Sequence, residues 1–215
     1  MTARMPIPWF VPWSGERPIA RPMIATSRGL AYQDEGPLDR DEDDVLLACL
    51  APSAPGQAGK PDLGGVHPQR QRQCMTSLLC HCCGGPADRR RGQGVLWLLE
   101  DDRGAWETWP RGLWTVHPPV CVPCAGQAVR YCPHLRREGA VAVRVRESEI
   151  VGVHGTRYYP AAPRPLPAGK VTAAFGSPLV SWVIAGQYVR SLDVCELVDL
   201  DEELETGIVR PAGPP

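Results

Sequence analysis

Cys80-His81-Cys82-Cys83-Gly84-Gly85 and Cys121-Val122-Pro123-Cys124 are the stretches on which the reading of this chain turns. Each contains C-x2-C, and 37 residues separate Cys83 from Cys121. Two residues between thiols let one tight turn present both sulfurs to a single ion, and backbone N–H groups in that turn can point at sulfur. Gly84, directly after Cys83, suits the positive φ that such a turn often needs. Two pairs supply four thiolates, the donor set Zn2+ takes in closed tetrahedral sites that leave no position for a substrate water. One structural zinc ion on Cys80, Cys83, Cys121 and Cys124 is therefore expected.

The other cysteines fit this set poorly. The chain has nine Cys in 215 residues. Cys82 lies inside the knuckle, where its side chain is expected to point away from the ion. Cys132 follows Cys124 by a helical rise of about 12 Å, too far for the same ion, and is read as core. A second metal would need Cys132 and His134 with Cys74 or His81. Cys49 and Cys195 lie in apolar runs, where a thiol behaves as a small hydrophobe. The N-terminal apolar residues are interrupted by Pro6, Pro8 and Pro12, so a secretory signal is not expected. The chain is read as cytoplasmic, where clustered thiols stay reduced and mean metal or catalysis before disulfides.

Around the cysteine pairs, Val95–Glu100 reads as a strand, Asp101–Gly104 as a turn and Ala105–Trp109 as its return strand. A short strand over 113–116 follows. From Cys121 the sequence fits a helix of about three turns, ended by Pro133. Knuckle, hairpin, then a helix opening at the second pair resembles the zinc-knuckle proteins, of treble-clef or zinc-ribbon type, over residues 78–135. The order looks more like a treble clef, and the resemblance implies a local fold and a zinc ion but no activity. Treble clefs also host HNH-type nucleases, whose catalytic His residues find no counterpart here. His117 precedes Pro118-Pro119 without an adjacent Asp, and His134 lies beyond the helix.

Working outward, residues 1–74 hold ten of the 24 Pro and read as a Pro-rich, largely irregular segment. Trp9, Phe10 and Trp13 stand among prolines there; they suit either a partner-binding arm or an arm folded back on its own domain, the latter being expected. Asp39–Asp44 is expected to open a short helix over 45–50, and 51–70 reads as a linker. Residues 75–138 are the zinc module. Residues 139–205 read as an α+β unit: a strand over 140–146, a second over 149–153, a Pro-rich loop over 160–169, a strand over 171–175, a helix from Ser177-Pro178 to about Arg190, a last strand or helix over 192–200, and an acidic tail over 199–205. His154, in a Gly-flanked run beside Tyr158 and Tyr159, is read as an ordinary turn residue rather than a ligand-holding one. Residues 206–215 are a terminal tail. The expected fold class is α+β.

Net charge is −1, so no global basic field attracts nucleic acid. No apolar run approaches the ~18 residues of a membrane span. Arg89, Arg90, Arg91, Arg130, Arg136 and Arg137 surround the zinc module, where they can offset a thiolate site's negative charge or contact phosphates. Trp97, Trp106, Trp109 and Trp114 are expected mainly as core. Phosphate-cradling, zinc-protease and nucleophile-elbow motifs are not present in the sequence. The expectation is a non-enzymatic protein-interaction or regulatory module with an unidentified protein partner. The alternatives are a nucleic-acid-binding module using those arginines and, last, an HNH-like nuclease or other enzyme.

Overall fold

The computed structural model describes residues 7–208. Its strands are β1 (Arg17–Pro18), β2 (Met23–Thr26), β3 (Gly29–Tyr32), β4 (Leu50–Ala51), β5 (Arg89–Arg90), β6 (Gly94–Glu100), β7 (Leu113–Thr115), β8 (Ala140–Tyr159), β9 (Leu166–Ala174) and β10 (Val183–Val198). Its helices are α1 (Pro68–Ser77), α2 (Val122–Tyr131), α3 (Pro133–Glu138) and α4 (Leu200–Ile208). This is a mixed α+β architecture dominated by one large sheet, in which β5-β6-β8-β10-β7 are neighbours in that order and β9 pairs with β8. No helix among the described residues is long and apolar enough to cross a membrane.

Two compact units form, and neither is one stretch of chain. The first comprises the described residues up to Phe10, Gln73–Glu149 and the described residues from Arg190; the second comprises Val11–Arg72 and Ile150–Val189. They therefore differ from the sequential segments at 74/75 and 138/139, because β8 and β10 each contribute residues to both.

In the first unit, β6 reads Gly-Val-Leu-Trp-Leu-Leu-Glu because both its faces are covered. Val95, Trp97 and Leu99 join Val143, Val145, Trp109 and Leu192 in one core. Leu96 and Leu98 face the other way, toward Ala142 and the apolar residues of α2. The period-two pattern of 140–146 is realised as β8 pairing with β6, Leu96 opposite Arg144. Arg144 is thereby fully buried. It is held by Asp88 at 2.6 Å and by both carboxylate oxygens of Glu203 on α4. Arg90 reaches the same Glu203 at 2.6 Å.

Several local expectations are corrected. Residues 105–109 form no return strand. Trp109 N–H donates to Trp106 and Arg111 N–H to Thr108 in successive turns, and β6 pairs instead with β5 and β8. The two strands expected over 140–146 and 149–153 are one 20-residue strand. Near its far end, Gly155 allows the close approach of Ile184, since a Cβ there would lie 2.0 Å from the Ile184 carbonyl oxygen. The helix expected from Ser177 is a single 3-10 turn, Val180–Trp182, followed by β10. Val183, Ile184 and Val189 are β-branched and Gly186 has poor helix propensity, so the shared apolar face belongs to period two rather than 3.6. The acidic stretch 199–205 is not a tail but the start of α4; from residue 209 the expected terminal tail lies outside the described residues.

The second unit contains strands where an irregular segment is expected. β1 pairs with β4, and β2 with β3. No helix forms over 45–50. The Asp41 carboxylate accepts hydrogen bonds from the Asp43 and Val45 N–H groups and the Tyr188 hydroxyl, and such side-chain acceptors compete with helix formation. Val45 and Leu46 are buried instead. Gln71 of α1, also fully buried, exchanges two hydrogen bonds of 2.9 Å with the Tyr188 backbone.

The Glu203 cluster makes a testable demand. Removing one partner of a buried ion pair strands the other charge. Glu203→Ala should cost about 3 kcal/mol, since Asp88 still holds Arg144. Glu202→Ala, exposed on the same helix, should stay within about 0.5 kcal/mol. Urea denaturation of the two variants measures the difference.

Candidate metal centre

The knuckle is built by backbone hydrogen bonds. After α1, Leu79 bridges to Pro86 across the turn. Cys80 N–H donates to Gly85 at 2.7 Å, and Gly84 N–H returns to Cys80 at 2.8 Å. Gly84 has φ +75, as the turn chemistry requires. A second reason for glycine there is the aromatic arm: a Cβ at Gly84 would lie 2.9 Å from the Trp9 ring. Trp9 N–H donates to Cys82 at 2.9 Å and Phe10 N–H to His81 at 3.2 Å. The residues Trp9 and Phe10 thus fold back on the module's own knuckle.

The second pair arrives along the extended segment 118–120. Val120 N–H donates to Leu96 at 2.9 Å, while Asp88 N–H donates to Val120 at 3.1 Å. The His81 ring lies 3.0 and 3.1 Å from the Pro118 and Pro119 carbonyl oxygens. This stitches knuckle and segment together and commits His81 Nδ1 to backbone. Cys121 is then the N-cap of α2, in extended conformation, with Pro123 in the first turn. The positive end of α2 consequently faces sulfur.

All four thiols meet: the sulfurs of Cys80, Cys83, Cys121 and Cys124 lie within 4.8 Å of one another. Cys83 Sγ and Cys121 Sγ are 3.9 Å apart. A tetrahedral site with metal–sulfur bonds of ~2.3 Å spaces its sulfurs by ~3.8 Å, so the group could close on a metal ion with shifts of about 1 Å or less. It is the only such group of three or more metal-ligating side chains among the described residues. Cys80 is fully buried and packs with Leu96, Val120, Val122 and Ala125; Cys121 and Cys124 border the same core.

The electrostatics explain why a cation suits this cluster. The Cys121 and Cys82 thiols donate to Cys80 sulfur, with help from the Cys121 and Cys83 backbone N–H groups, and hold its thiol far below the ordinary range. Donating to Cys80 pushes the Cys121 and Cys82 thiols up, and burial raises Cys124 to about 12. Charge on Cys80 is thus favoured, and charge on Cys82, Cys121 and Cys124 disfavoured. A divalent cation would allow all four to ionise.

Cys82 therefore sits closer to the site than its place in the knuckle suggests: it stays outside the four-sulfur group yet hydrogen-bonds Cys80. Cys74 is buried and its thiol is pushed to about 12 by burial. Cys132 caps α2 with its N–H on Ala128, and His134 pairs with Glu100 at 3.1 Å. Neither joins a second metal cluster among the described residues. His117 is exposed and supplies its backbone oxygen to the Trp97 indole at 3.0 Å.

The six arginines divide. Arg90 is tied to Glu203, Arg137 to Glu138, and Arg130 stacks on Tyr131 at 5.4 Å. Arg136 is exposed on α3. Arg89 and Arg91 flank the β5–β6 turn and, with Arg90 and Arg146 of β8, line an open groove of about 620 Å3. Arg146 is the member of that groove that residue spacing around the cysteines did not reveal; its place follows from β8 lying beside β6. Trp97 and Trp109 are core, whereas Trp106 and Trp114 are 40% and 46% exposed.

No protein-family model, curated protein or solved structure matches the chain.

If the four sulfurs hold an ion, Cys80→Ser and Cys121→Ser each remove a candidate ligand and should abolish metal retention and cooperative folding of this unit. Cys82→Ser keeps a hydrogen-bond donor and should retain both. Metal content and thermal melts of the three variants are the measurement; equal damage in all three would refute the ligand set.

Proposed function

We propose that this chain is a structural zinc protein in which Cys80, Cys83, Cys121 and Cys124 hold one Zn2+, and that it acts as a non-enzymatic protein-interaction or regulatory module. The convergence of four thiols within 4.8 Å carries this reading. An all-sulfur tetrahedral donor set selects soft metals, zinc or iron, and zinc closes it without redox chemistry. Four protein ligands saturate the ion, which suits a role in folding rather than catalysis. A treble-clef-like arrangement finds support in the knuckle, the antiparallel β5–β6 pair that follows it, and α2 opening at the second Cys pair. Exposed Trp114 on strand β7, at the sheet's end, with Trp106 nearby in sequence, is the kind of amphipathic surface that binds protein partners.

Purified protein should contain about one zinc per chain by elemental mass spectrometry, and chelation should unfold the metal-binding unit. A stably folded, metal-free protein would sink this reading.

The Arg89–Arg91–Arg146 groove favours nucleic acid as a second reading, because three of its arginines make no ion pair among the described residues. Fluorescence anisotropy with labelled single-stranded RNA and DNA, between about 50 and 200 mM salt, separates the two. Affinity that falls steeply with salt and disappears in an R89M/R91M/R146M variant supports nucleic acid. Absence of binding leaves the protein-interaction reading.

A further inference from the structure

The second unit holds a half-open cavity of about 590 Å3. That size falls in the range of small-molecule sites. One wall is the β8–β9 pair. His154, Thr156 and Tyr158 alternate along β8 and share one face, and Lys170 of β9 stands opposite Thr156. The other walls are mainly apolar and include Met23, Tyr32 and Ile184.

The charge of the lining is one-sided. It contains Arg21, Lys170 and His154 and no Asp or Glu, in a chain whose net charge is −1. Arg21 is already neutralised: it pairs with Asp34 at 2.9 Å and with Asp39 at 2.5 Å, and lies 4.2 Å over the Tyr32 ring. Lys170 makes no ion pair among the described residues, and its ammonium donates only to Thr156 Oγ1, at 3.1 Å. His154 Nδ1 is occupied by Thr172 Oγ1 at 3.0 Å, leaving Nε2 for a ligand. One uncompensated cation beside two neutral hydrogen-bonding side chains matches a single negative charge better than a dianionic phosphate. The tyrosines and aliphatic walls suit an apolar body.

We infer that this cavity binds a small monoanionic carboxylate with an aromatic or aliphatic body, its carboxylate on Lys170 with Thr156 and His154 adjacent, and its body against Tyr158, Tyr32 and Ile184. His154 is thereby a ligand-facing residue of a strand, not a turn residue.

The test uses the full zinc-loaded chain and isothermal titration with 2-naphthoate, against its uncharged isostere 2-naphthamide. Naphthoate should bind saturably at one site per chain, and naphthamide at least about tenfold more weakly, the worth of one charge-assisted contact. K170M, on an exposed residue, should weaken naphthoate about tenfold and leave naphthamide unchanged. Y158A should weaken both, and R164M, on an exposed residue outside the cavity, neither. No saturable binding of naphthoate, equal binding of acid and amide, or a K170M variant that binds naphthoate like the parent would overturn the assignment.

Discussion

Like charges at sulfur–sulfur contact distance are the constraint on which the four-cysteine unit depends. With four thiols inside 4.8 Å, charge on Cys80 is favoured by the thiols that donate to it, while charge on Cys121 and Cys124 is disfavoured. A divalent cation removes that limit. Ligand deprotonation, ion binding and the fixing of two chain segments then become one event, so the binding free energy of the metal is also folding free energy. The stitching of segment 118–120 to Leu96, Asp88 and His81 makes this productive, for it delivers Cys121, the N-cap of α2, to the knuckle.

In the same unit, Arg144 is fully buried and fixes the elements around it. Arg144 of β8 stands opposite Leu96 of β6 and is matched by Asp88 and by Glu203 of α4. An unpaired guanidinium there would be prohibitive, so α4 must place Glu203 where it does. This is why an acid-rich stretch that looks solvated in sequence becomes a packed helix. It is also why Arg90, although it lines the basic groove, has its charge matched by Glu203, while Arg89 and Arg91 make no ion pair among the described residues.

Legibility followed the range of the interaction involved. The cluster of four cysteines was readable because C-x2-C spacing is dictated by one turn, and Gly84 because that turn needs a positive φ. Val95–Glu100, Leu113–Thr115 and the helix after Cys121 were readable from apolar runs and proline punctuation. The residues 177–190 were not. Val180, Val183, Ile184 and Tyr188 satisfy a helical spacing, but pairing with neighbouring strands decides for β10. The short strands before residue 52 were hidden by proline, and the turn at Asp41 by an acidic run that resembles a helix start.

By itself, the sequence determined a pair of two-cysteine turns, a chain of near-zero net charge, an arginine-flanked module and the mixed α+β composition. All of these rest on spacing and local chemistry. Only the tertiary structure decided that Trp9 and Phe10 cover the knuckle, that Arg146 joins Arg89 and Arg91, and that His154 and Lys170 face one cavity. It likewise decided that the compact units are interleaved along the chain rather than consecutive. The physical reason is that such placements depend on which strands become neighbours. That choice is made by burial and pairing between residues distant in sequence, and it leaves no periodic mark on either partner alone.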